Sequence, residues 1–94
     1  MRTLGFSSSF KRAFKALIRR EPEMEGKITD RLEMLVVDPF HPSLKTHKLK
    51  GKLSGAWACT VEYDCRIVFN FKKSPDTDTE EILLIDIGSH DEVY

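Results

Sequence analysis

The chain has 94 residues, which is room for one domain and not two, and a domain of that size buries roughly 60 to 65% of the surface its unfolded chain exposes. Hydrophobic residues make up 40% and charged residues 32%, a balance that excludes the apolar-poor, highly charged class of disordered chains. The formal net charge is zero, yet the charges are segregated. Residues 1–20 carry six cations and no acid, and residues 41–73 carry seven Lys or Arg against Glu62 and Asp64. Residues 21–40 carry six acids against Lys27 and Arg31, and residues 74–94 carry seven acids with no Lys or Arg. Segregation of this kind permits a basic face for a polyanion on a neutral molecule.

No apolar run approaches the roughly 20 residues that cross a bilayer. The opening MRTLGFSSSFKRAFKAL has no signal-peptide core followed by a cleavage site. The expectation is a single domain over residues 1–94, cytoplasmic and without a membrane partner. Cys59 and Cys65 form no CxxC pair, and a reducing cytosol would keep them as small buried thiols.

In chain order, residues 2–6 predict a short strand, ended by Ser7, Ser8 and Ser9, any of which can cap a helix. Phe10, Ala13, Phe14, Leu17 and Ile18 recur at spacings of three and four while Lys11, Arg12, Lys15 and Arg19 face away, predicting an amphipathic helix that ends near Arg20. Glu21 and Pro22 restart the chain. Met24, Ile28, Leu32, Leu35 and Val36 then repeat the spacing, until Asp38 and Pro39 stop a second helix. So short a link predicts an antiparallel helical hairpin packed on a sheet.

The segment FHPSLKTHKLKGKLSG is punctuated by Pro and Gly and reads as a loop. In WACTVEYDCRIVFNF the period becomes two, predicting an antiparallel hairpin turned at Tyr63 and Asp64 with one face in the core. EILLIDIG follows a polar loop and reads as a strand buried on both faces, central in its sheet.

Two segments carry candidate chemistry. THKLKGKLSGAW offers Lys45, His47, Lys48, Lys50 and Lys52 around Gly51 and Gly55, a surface suited to phosphate, with one side chain that titrates near neutrality. The plainer reading is a solubilising loop. The tail places His90, Asp91, Glu92 and Tyr94 directly after a buried strand, where side chains emerge at a sheet rim. Arg66 stands on the hairpin face opposite Ile67, Phe69 and Phe71, where its planar fork can grip a phosphorane or pair with Glu62 across the hairpin. GxxxxGK, GxGxxG, HExxH and GxSxG are all absent, and His41, His47 and His90 have no local metal-ligand spacing.

The element order, HKLKG before the hairpin, and the terminal GSHDEVY together resemble the RelE/ParE toxin superfamily, closest to its YafQ branch. The resemblance spans essentially the whole chain. It implies an α+β, RelE-like fold: two N-terminal helices packed on a twisted antiparallel sheet of about four strands, in the order β-α-α-β-β-β. It also implies the toxin of a type II toxin–antitoxin system, a ribosome-dependent endoribonuclease that cuts mRNA in the A site by metal-independent acid/base catalysis and is held by a cognate antitoxin. On this resemblance His47, Asp64, Arg66 and His90 are the catalytic candidates, and Lys48, Lys50, Lys52 and Tyr94 the substrate-binding ones. Where the YafQ-like hairpin carries further acidic and His residues, this chain has Ala58 and Thr60. Two alternatives stand beside the nuclease: a ParE-like inhibitor of DNA gyrase, and a catalytically degraded toxin that only binds its antitoxin.

Overall fold

The structure is a computed structural model, and it describes residues 2–50, 55–62, 64–73, 76 and 79–89. Strand β1 (Arg2–Phe6) is followed by helices α1 (Ser8–Arg20) and α2 (Met24–Val37), then β2 (His47–Lys48), β3 (Trp57–Glu62), β4 (Cys65–Lys73) and β5 (Glu80–Gly88). The strands form one five-stranded sheet in the order β1-β5-β4-β3-β2. All pairings are antiparallel except that of β1 with β5, which is parallel. The sheet is therefore mixed, and it has one strand more than the four expected. The addition is β2, two residues whose polar composition carries no strand periodicity.

Ser7 makes α1 begin where it does. Its hydroxyl accepts from the Phe10 amide at 3.1 Å, satisfying one of the first-turn donors that a helix leaves unpaired. Arg19 and Arg20 sit in the last turn, where cations suit the negative end of the helix dipole. The second helix starts later than Pro22. Met24 N donates to Glu21 O at 3.0 Å and Glu25 N to Pro22 O at 3.3 Å, so the first turn is a tight one and regular helix begins at Met24. Asp38 N closes its last turn on Met34 O at 2.8 Å before Pro39 removes the next donor.

The principal core lies between the helices and one face of the sheet. Phe10, Leu17, Met24, Ile28 and Leu35 from the helices meet Cys59, Ile67, Phe69, Ile82 and Leu84 from the strands. The expectation of a single buried hairpin face needs correcting, because a second cluster, Leu49, Ala56, Ala58 and Val68 with Ile85 beside them, lies apart from it. Leu49 reaches it from the segment after β2. Apolar residues at 58 and 68 thus have a covering that alternation within the hairpin could not reveal. Strand β5 is internal to the sheet, as expected, although Leu83 and Ile85 are only half-buried.

A bulge in β5 links the helix layer to the sheet. Phe69 pairs with Leu84 and Val68 with Asp86, which leaves Ile85 outside the β4 register. Its carbonyl accepts instead from the hydroxyls of Ser7 at 3.2 Å and Ser9 at 2.7 Å. Among the described residues no helix is long and apolar enough to cross a membrane.

Candidate functional site

Directly opposed residues of neighbouring antiparallel strands project to the same side of a sheet. His47 pairs with Ala58, Ala58 with Val68, and Val68 with Asp86. Two residue pairs further along the hairpin, Thr60 pairs with Arg66 and Arg66 with Gly88. Because Cys59, Ile67 and Ile87 belong to the core under the helices, both of these rows project from the opposite face. The face away from the helices therefore carries His47, Thr60, Arg66 and Asp86, bordering the apolar floor built on Leu49. With strands about 4.8 Å apart and a rise of about 3.4 Å per residue, the Cα atoms of His47 and Arg66 stand roughly 12 Å apart, a gap that two long side chains and one phosphodiester can fill.

His47 is exposed on the short strand β2. Its Nδ1 lies 3.0 Å from the Lys45 carbonyl oxygen. A carbonyl only accepts, so Nδ1 carries the proton of that bond and Nε2 is the basic nitrogen of the neutral ring. Lys45, in the left-handed region at φ 51°, turns the chain from the 3-10 turn at Pro42–Leu44 into this strand.

Arg66 is half-buried on β4 and donates through one Nη to the Glu62 carbonyl oxygen at a long 3.4 Å. The Glu62 carboxylate is engaged by Lys27 of α2, and the bond from Arg66 to Glu62 is made to the backbone carbonyl. Gly88, the other strand neighbour of Arg66, adds no side chain beside the guanidinium.

Other candidates are distributed differently. Lys48 alternates to the helix side, where its Nζ lies 5.4 Å from the centre of the Trp57 ring, a cation–π contact. Trp57 in turn packs edge-on against Phe40 and Phe71. Lys50 is exposed one residue beyond Leu49. Asp64, at the hairpin turn, lines a cleft of about 260 Å³ with Arg20, Glu21, Glu62, Cys65 and Ser89, at the end of the sheet near the close of α1. The fold thus brings His47 and Arg66 to one face and sets Asp64 in a cleft that it shares with Leu17, Arg20 and Met24 of the helices. Lys52, His90 and Tyr94 lie outside the described residues.

Asp86 escaped the sequence reading. It shares a row with His47 and accepts from the Ile87 amide at 2.8 Å through its own carboxylate. A lone acid inside ILLIDIG was the available signal, since an ionisable side chain within an apolar strand needs a polar reason to be there.

The thiols are withdrawn from chemistry. Burial pushes Cys59 up to about 12 and Cys65 up to about 11, with neighbouring acids led by Glu62 adding to the second. Neither is a nucleophile near neutrality. Among the described residues, no three His, Cys, Asp or Glu side chains are grouped as a metal site.

A family model described as a bacterial toxin of type II toxin–antitoxin system, YafQ, matches residues 2–94. The chain belongs to the YafQ toxin family. Solved structures of similar fold include a copper-bound mutant toxin from Helicobacter pylori, at 26% identity over all of both chains with a TM-score of 0.75. The YoeB/ParE toxin from Agrobacterium tumefaciens is 23% identical over 94% of this chain and 98% of its own, also at 0.75. YafQ from E. coli strain BL21(DE3) is 17% identical over 100% of this chain and 99% of its own, again at 0.75. No curated protein sequence matches. At these identities the likeness to the Agrobacterium and E. coli proteins establishes the fold of this toxin, and the roles of its side chains rest on its own geometry.

Proposed function

We propose that this toxin is a ribosome-dependent endoribonuclease that cuts mRNA by acid/base catalysis without a metal. The observation supporting it is the cross-strand register, with His47 and Arg66 on one face of the sheet and His90 two residues after Gly88, the strand partner of Arg66. A base, His47 Nε2 or the Asp64 carboxylate, takes the proton of an RNA 2′-OH. The O2′–P bond forms as the P–O5′ bond breaks, and His90 protonates the departing O5′, leaving a cyclic phosphate and a free 5′-hydroxyl. Arg66 and Lys50 stabilise the charge on the phosphorane, Lys52 holds the flanking backbone, and Tyr94 stacks on a base, while Lys48, turned to Trp57 on the other side of the sheet, has no part in this arrangement.

A YafQ-fold chain has been solved with an antitoxin, in the E. coli DinJ-YafQ complex, at 17% identity over 99% of this chain with a TM-score of 0.72. By the same reading this toxin is held in the cytoplasm by a cognate antitoxin, and its substrate is mRNA in the ribosomal A site.

General acid–base assistance is worth about 10²- to 10⁴-fold per group. His90→Ala should therefore lower cleavage of ribosome-bound message by at least about a hundredfold while leaving the thermal transition unchanged. Undiminished cleavage by the folded variant removes His90 from the mechanism, and unchanged message ends after expression of the parent remove the nuclease reading. The second reading, a toxin that only binds its antitoxin, is favoured by Ala58, which is fully buried beside Leu49 and offers no acid or base. It predicts no growth arrest by the toxin alone.

A further inference from the structure

At the end of the sheet away from the turn at Asp64, the helix side carries an aromatic cluster that the chemistry above does not use. Phe40, just beyond α2, stacks on Phe71 of β4 with centroids 5.9 Å apart and 26° between the ring planes. Trp57 of β3 meets both rings edge-on, at 5.3 Å from Phe40 and 5.8 Å from Phe71. Phe69 meets Phe71 edge-on at 5.5 Å. Phe69 is fully buried and Phe40 is 54% exposed, so the cluster runs from the core to solvent and ends on the outer face of one ring. That ring is held in place. The Phe40 amide donates to Asp38 Oδ1 at 3.3 Å, and the Thr46 hydroxyl donates to the Pro39 carbonyl oxygen at 2.5 Å, so a ligand stacked on it orders little that is not already ordered.

We infer that the outer face of Phe40 is a stacking platform for a base of single-stranded RNA, on the side of the sheet opposite the catalytic face. Charge complementarity selects this occupant. From Phe40 to Val61 the chain carries Lys45, Lys48, Lys50 and Lys52 and no acid. Lys48 Nζ stands over Trp57, 5.4 Å from the ring centre, and Lys73 follows Phe71 on the same side of β4. The neighbouring acids are engaged, Asp38 by the Phe40 amide and Glu80, the strand partner of Lys73, by Arg2. Cations beside an open aromatic face hold phosphates while the ring takes a base, and every base has a π-face, so the contact does not depend on sequence. A second copy of this chain would set these lysines against their own counterparts.

Strand β2 connects the platform to the catalytic face. It ends the sheet order, and its two residues point to opposite sides, His47 towards the face of Arg66 and Lys48 towards Trp57. A strand of RNA that crosses this edge therefore meets His47 on one side and Lys48 and Phe40 on the other. The inference rests on the nuclease reading for the identity of that strand. It adds a contact outside the cut site that sets affinity and leaves the chemical step alone.

The test uses the full chain and a mixed-sequence RNA roughly eight nucleotides long, methylated at every 2′-oxygen so that no attacking hydroxyl is present. Trp57 is the only tryptophan, and its fluorescence should change when this RNA binds and stay unchanged when inorganic polyphosphate binds. Phe40→Leu keeps apolar bulk and removes the ring. It should weaken RNA binding at least about fivefold, with polyphosphate binding as in the parent, and Phe40→Tyr should restore RNA affinity. Lys48→Glu, at an exposed position, should weaken RNA and polyphosphate alike and serves as the second variant where Phe40→Leu lowers the thermal transition. On ribosome-bound message Phe40→Leu should raise the concentration for half-maximal cleavage and leave the single-turnover rate at saturation parental. Parental RNA affinity in Phe40→Leu and Lys48→Glu overturns the platform, as does an equal fluorescence response to polyphosphate or a loss of self-association in place of RNA binding. Absence of message cleavage by the parent overturns the nuclease reading instead, and binding of the methylated RNA still decides the platform.

Discussion

Thr60 on β3 and Arg66 on β4 stand directly across from one another on the face of the sheet away from the helices. Two residues back, Ala58 lies on the same face but is completely buried, beside Leu49. These two positions, alike in the face they occupy, are therefore unlike in kind. One borders the candidate catalytic groups, and the other is floor.

Placing an imidazole at position 60 should add a proton-transfer group beside Arg66. Thr60→His is expected to raise the rate of message cleavage by about a hundredfold with little change in stability, at the low end of general acid–base effects. Ala58→His should instead lower stability by about 1–3 kcal/mol, because it inserts a bulky polar ring into a packed site. Urea unfolding and a cleavage assay on both variants check the contrast, and equal behaviour of the two would contradict the register assignment.

Arg66 should be irreplaceable by lysine. Its fork can bond two phosphate oxygens at once, and an ammonium cannot. Arg66→Lys is expected to lose most of the cleavage activity while retaining affinity for RNA, a split read by comparing single-turnover rates with equilibrium binding.

Leu49 holds the loop of lysines. Its amide donates to the Ala56 carbonyl at 2.9 Å, and its side chain is buried with Ala56, Ala58 and Val68. Leu49→Ala should cost about 2–3 kcal/mol and lower RNA affinity as well, since Lys50 loses its anchor. A change in stability alone would mean that the lysines bind independently of loop geometry.

Ser7 joins helix and sheet through one hydroxyl, which accepts from Phe10 N and donates to Ile85 O. Ser7→Ala should destabilise by about 1 kcal/mol, seen by calorimetry as a fall of roughly 4–8 °C in Tm for a domain of this size.

The two thiols set an alkaline limit. Their folded pKa values, about 12 and about 11, stand above the unfolded 9.0. A raised folded value stabilises fully below the unfolded pKa, so this contribution is intact at pH 7 and is lost as pH rises from 9 towards 11 and 12. The double variant Cys59→Ala, Cys65→Ala should lose stability less steeply than the parent across that window. Identical slopes in denaturant titrations at pH 9, 10 and 11 would argue against buried neutral thiols.

Local pattern alone determined much of this toxin. Three- and four-residue apolar spacing marked both helices, the serines at 7 to 9 and Pro39 marked where helix begins and ends, and period-two alternation marked the hairpin at Trp57 and Ile67, because each follows from contacts within a few residues. Tertiary structure decided the rest. Parallel pairing of β1 with β5 joins residues some 78 positions apart, Leu49 crosses to cover Ala58, and the match of β2 to β3 turns His47 to the face of Arg66 while sending Lys48 to Trp57. None of these has a local signature, since a strand pattern states that alternate residues face opposite ways and leaves open which neighbour each face will meet.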